Sequence, residues 1–109
     1  MKVISTSPSG CYEVRSEPWE ARMSHWVHPP IVLDLRTASL VYSPEDRDWS
    51  VEHAAWVSES QVRLDLWKYP GGPRTSVEVI IDCAARTARI GGNAVALAAL
   101  DAALKQASR

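Results

Sequence analysis

From Gln61 onward apolar and polar positions alternate, Val62, Leu64 and Leu66 taking turns with Arg63, Asp65 and Trp67. A period of two marks a half-buried strand, because successive side chains point to opposite faces of the sheet. Pro70-Gly71-Gly72-Pro73 then requires a reversal, proline presetting one turn dihedral and glycine supplying positive φ at the next. The returning run, 76–82, carries Val77, Val79, Ile80 and Ile81, whose β-branched side chains suit a pleated surface, and a shorter run over 87–90 follows a second turn. The pattern predicts an antiparallel meander over 61–92.

The first half shows the same period, broken by prolines. Residues 1–10 read as an irregular lead-in, with Ser5-Thr6-Ser7-Pro8-Ser9-Gly10 rich in turn formers. Short strands are expected over 11–14, over 31–35 with Leu33 and Leu35 opposite Asp34 and Arg36, and over 40–42. The run 19–28 reads as one strand ending against Pro29-Pro30, which supply no ladder donors. Its alternation places Trp19, Ala21, Met23, His25 and Val27 on one face and Glu20, Arg22, Ser24, Trp26 and His28 on the other. A strand over 49–57 puts Trp49, Val51, His53, Ala55 and Val57 together and leaves Trp56, like Trp26 and Trp67, on a polar face.

After Gly91-Gly92 the period changes. Asn93 is a good helix N-cap, alanine and leucine dominate 94–107, and Leu97, Leu100 and Leu104 form a stripe at i, i+3 and i+7 that Ala96 and Ala103 widen. A C-terminal helix over 94–107 is expected. The predicted fold class is α+β: an antiparallel β-meander sheet of about five to seven strands, with that helix packed on a face and residues 1–109 forming a single domain.

Composition narrows the choice of partner. Twelve basic residues against 13 acidic ones leave a formal net charge of −1, without the basic footprint of a nucleic-acid binder, so no nucleic-acid partner is expected. The N-terminus lacks the apolar segment of a secretory signal, and no apolar run approaches the ~20 residues of a membrane span. The expectation is a cytoplasmic protein without a membrane partner. Two cysteines, Cys11 and Cys83, do not make a disulfide scaffold, and they bridge only if their strands lie side by side. Five tryptophans and no phenylalanine are more indole than a domain of this size buries fully, so some are expected at the surface.

No catalytic, metal or nucleotide motif stands out. The face Glu20, Arg22, Ser24, Trp26 and His28 lines up a carboxylate, a guanidinium, a hydroxyl, an indole and an imidazole at about 6–7 Å intervals, a row able to grip a polar ligand or a peptide. The bland alternative is the solvated side of a one-sided sheet. His25 and His28 diverge in a strand and have no further ligands at standard spacing, so neither metal nor cofactor is expected. Ser24 and His25 point apart, there is no nucleophile elbow, and the glycine pairs are too brief to cradle phosphate. Function is not written in a motif here. The best expectation is a small non-catalytic binding or interaction protein, self-associating or with a protein partner, using an aromatic sheet face of Glu20, Arg22, Ser24, Trp26, His28, Trp56 and Trp67. The rival is a small enzyme or ligand-binding domain with a pocket around Glu20, Arg22, Ser24 and His28.

Overall fold

The computed structural model describes residues 2–21, 25–70 and 76–107, and these form three antiparallel sheets and one short helix. β1 (Lys2–Thr6) and β2 (Tyr12–Ser16) make a hairpin; β3 (Trp19–Glu20) and β4 (Trp26–Val27) make a small second one. β5 (Pro30–Asp34) and β6 (Ser39–Tyr42) complete a four-stranded sheet in the order β1-β2-β5-β6. β7 (Trp49–Trp56), β8 (Gln61–Lys68), β9 (Val77–Asp82), β10 (Thr87–Ile90) and β11 (Asn93–Ala96) follow one another across a five-stranded sheet. A 3₁₀ turn, Leu97–Ala99, leads into the helix α1 (Leu100–Ala107).

The meander is therefore real but is only half of the fold. The sheet divides after β6, where the polar loop 43–48 carries the chain to the second layer. The two larger sheets share one apolar cluster: Tyr12, Val14 and Val32 come from one, Leu64, Leu66, Val79 and Ile81 from the other, and Leu100 and Leu104 from the helix. Each sheet has one apolar face, and facing the other is how it leaves water.

Four expectations are corrected here. Lys2–Thr6 is a strand rather than an irregular lead-in. Its β2 partner is brought back by a turn in which Gly10, at φ 77°, donates to the Ser7 carbonyl at 2.9 Å. A short edge strand with little alternation has no strong local signal. The run 19–28 is not one strand but the β3–β4 hairpin, whose connection (residues 22–24) lies outside the described residues, as does most of the turn at 70–73.

β5 presents the opposite face from the one expected. Val32 and Asp34 are buried and Leu35 is 37% exposed, because pairing with Val14 and Tyr12 turns those positions toward the core. Asp34 tolerates this through Arg36, whose guanidinium donates to both carboxylate oxygens (3.3 and 3.2 Å) and to the Tyr12 hydroxyl (2.7 Å). That side-chain hydrogen bond holds the Asp34 carboxyl below the usual carboxylate range.

The fourth correction concerns the C-terminus, where the helix begins at Leu100 and not at 94. Gly91 and Gly92 both have positive φ (57° and 80°), the requirement of a two-residue hairpin turn, so Asn93 pairs with Ile90 instead of capping a helix. Residues 93–96 then cover the open edge of β10, and ladder hydrogen bonds outweigh the helix propensity of alanine. Cys11 and Cys83 are free thiols; Cys83 is buried, and burial pushes its pKa up to about 11.

Two predictions follow from the C-terminal region. Gly91→Ala and Gly92→Ala are each expected to destabilise by about 1–2 kcal/mol through backbone strain alone, since an added Cβ meets nothing within 4 Å. Urea titration should show a lower midpoint with an unchanged slope. The second concerns the Tyr42 hydroxyl, which donates to Asp101 Oδ1 of α1 at 2.6 Å. Burial, and then this bond, raise the phenol's pKa far above its usual 10.0. A raised folded-state pKa leaves its stabilisation intact below the unfolded value and loses it as pH climbs beyond. Wild-type stability should therefore fall above about pH 10. Tyr42→Phe should flatten that fall while losing about 1 kcal/mol at neutral pH, read from denaturation curves at several pH values.

Candidate functional site

A groove of about 580 Å³ opens where β1, β4, β7 and β8 meet. Lys2, Val3 and Ile4 form one wall, Ser50, Val51 and Glu52 another, and Trp26, His28 and Trp67 supply its rings. Trp26 is 53% exposed, the largest side chain presented so openly among the described residues. Trp67 reaches the groove because β8 alternates: Val62, Leu64 and Leu66 point into the core, which turns Trp67 outward opposite its register partner Ser50. His28 is clamped at its backbone. Its N–H donates to Ser50 Oγ at 2.9 Å, and its carbonyl accepts from the Val51 N–H at 2.9 Å.

Behind Trp67 the rings continue. Tyr69 meets Trp67 edge-on at 6.0 Å between centroids, Trp19 edge-on at 6.1 Å, and His25 at 6.3 Å. Such offset and edge-on contacts are each worth about 0.5–1.5 kcal/mol beyond the area they bury. The loop 43–48 fastens this corner: the Trp19 indole donates to the Arg47 carbonyl at 2.8 Å, Arg47 donates to the Glu17 carbonyl at 3.2 Å, and Lys68 pairs with Asp46 at 2.7 Å. The Lys68 ammonium also holds the Asp46 carboxyl below its ordinary range. The corner is thus a mounted aromatic surface and not a loose hairpin.

The seven residues expected to form one face are distributed differently. Trp26, His28 and Trp67 meet in the groove. Glu20 is exposed beside it as the register partner of Trp26, and does not line it. Arg22 and Ser24 lie outside the described residues. Trp56 is corrected outright. It sits at the far end of β7 against the core, its ring stacked on Tyr12 at 6.3 Å and 21°, with the Arg36 guanidinium 5.1 Å from the other ring.

A β-bulge is the reason for the change at Trp56. Val51 pairs with Leu66 and His53 with Asp65, so Glu52 is an extra residue that switches the face of everything after it. Ala54 and Trp56 turn inward, opposite Leu64 and Val62, in place of the expected His53, Ala55 and Val57.

Lys2, Trp19, Ser50, Glu52 and Tyr69 join the site without having been expected there. Only Tyr69 carried a legible sign, since it falls two residues after Trp67, just past the end of β8. Among the described residues no group of three or more His, Cys, Asp or Glu side chains stands close enough to hold a metal ion. His25 turns to Tyr69 while His28 lines the groove. A wider concavity of about 950 Å³ lies beside the β10–β11 turn and α1, but glycine, alanine and the surface charges Glu78 and Arg89 make up much of its lining. It has no ring to recognise a ligand by.

Compared with known proteins, the chain matches no family model, no curated protein and no solved structure.

The division of the tryptophans into core and groove has a direct test. Trp56→Ala should destabilise by about 3–5 kcal/mol, as core aromatic deletions do, whereas Trp26→Ala should stay within about 0.5 kcal/mol of wild type. Paired urea curves decide the matter; equal losses for the two would contradict the assignment.

Proposed function

We propose that this is a non-catalytic binding protein whose recognition surface is the groove between Trp26, His28 and Trp67. The observation that carries the proposal is the half-exposed Trp26, held beside a concavity that already contains a second indole. Leaving a large ring in water forgoes about 1.5–3 kcal/mol of burial, and aromatic side chains in that position are the usual anchors of binding surfaces. Ser50 Oγ is engaged by the His28 backbone, which fits a positioning role better than a nucleophile's. The partner is a protein segment, supplied by another chain or by a second copy of this one. No helix among the described residues is long and apolar enough to cross a membrane.

A fragment screen followed by ¹H–¹⁵N spectra tests this reading. Small aromatic and amide-bearing fragments should move the indole N–H signals of Trp26 and Trp67 and leave those of Trp49 and Trp56 in place. Fragments that gather elsewhere, with both groove indoles unmoved, would refute it.

A further inference from the structure

We propose that β11 is a self-pairing edge through which two copies of this chain join their five-stranded sheets. The two larger sheets end in four edge strands, and three of these carry a device against pairing. β1 has its irregularity between Val3 and Ser5 and begins with Lys2. In β6 the Leu40 carbonyl accepts from the Arg86 guanidinium at 3.4 Å. β7 is bulged at Glu52, and its Val51 N–H already donates to the His28 carbonyl. β11, Asn-Ala-Val-Ala, has no proline, no charge and an unbroken register with β10. Asn93, Ala94 and Ala96 are exposed.

The phase of the β10–β11 hairpin sets which backbone groups are open. Ile90 and Asn93 flank a two-residue turn and so exchange their hydrogen bonds. Alternation carries this on to Ala88 with Val95, and then to the Leu97 N–H, which donates to the Arg86 carbonyl at 3.3 Å. Ala94 and Ala96 therefore direct their backbone groups away from β10. The Ala96 carbonyl is taken by the 3₁₀ turn that Ala96 caps, so Ala94 alone offers both a donor and an acceptor. A two-fold axis beside it sets Ala94 opposite Ala94 of the second copy, each N–H donating to the other's carbonyl, with Asn93 opposite Val95 of the second copy. Only small side chains meet on that row. Arg89, the register partner of Ala94, stands three strand spacings from its counterpart, about 14 Å, beyond the ~8 Å reach of charge at physiological salt. Ser50 and Trp67 of the groove lie on β7 and β8, at the opposite side of the sheet, so the pairing leaves a groove open at each end.

Sedimentation velocity between about 10 μM and about 1 mM, the range of weak association, is the test. A four-residue edge makes few bonds, so a monomer–dimer equilibrium is expected, its mass rising toward twice that of the chain and stopping there. In a mixture of labelled and unlabelled chains, an intermolecular Hα–Hα contact should link Asn93 to Val95 of the second copy. Ala94→Pro removes both donors at the axis and leaves the β10 ladder intact, and should weaken the dimer about tenfold or more. Ala94→Lys, which sets like charges opposite each other, should weaken it about threefold or more. Both variants are checked for fold by their amide spectra. A chain still monomeric at the highest concentration overturns the proposal. So does a mass that climbs past the dimer, because this pairing closes at two. A dimer that a folded Ala94 variant leaves as tight as wild type overturns it too. Intermolecular contacts found at Trp26 and Trp67 instead of β11 would also overturn it, and would place the second copy in the groove.

Discussion

Val14 and Val32 on one sheet, Val62, Leu64, Val79 and Ile81 on the other, and Leu100 and Leu104 on the helix are almost fully removed from water in a single cluster. Each such side chain contributes about 1.5–3 kcal/mol by burial, more than any one surface contact in the molecule. Everything else in the fold is arranged around keeping those two apolar faces together. The helix is an example. At eight residues it is too short to hold by itself, and it persists because Leu100 and Leu104 are inside the cluster and Asp101 accepts the Tyr42 hydroxyl.

The aromatic corner depends on the same constraint at one remove. A hairpin of two-residue strands is marginal in water. β3 and β4 are kept in place by Val27, which is fully buried, by the Trp19 bond to the Arg47 carbonyl, and by the bonds of His28 to Ser50 and Val51. With those anchors the hairpin can hold Trp26 out in solvent without unravelling. The five indoles are thereby graded, with Trp49 buried, Trp56 packed on the cluster, Trp19 and Trp67 half-buried and Trp26 open.

Bulges set what the edge strands present. The extra residue in β7, Glu52, turns Trp56 inward and itself comes to line the groove, and the irregularity between Val3 and Ser5 of β1 falls beside the same groove. Bulges re-aim side chains and also blunt an edge against open-ended pairing with other chains.

The two-residue period is a local property, so it marked most of the β7–β10 strands, β5 and β6 without any knowledge of the fold. Local information misled where a distant partner had the deciding vote. Alanine-rich 93–96 became a strand because β10 offered an open edge and Gly91-Gly92 supplied the positive φ to reach it. The alternation of 19–28 concealed a reversal, which split the expected row of site residues and left Glu20 beside the groove and Trp26 and His28 within it. By itself the sequence determined where most strands run, that the chain has too many indoles to hide, and that Trp26 and Trp67 belong to polar positions. Only the tertiary structure decided that Trp56 is core and that Trp26 meets Trp67. Which face of a strand is buried depends on the register and bulges of its pairing with strands far away in the chain, and no residue's immediate neighbours record that.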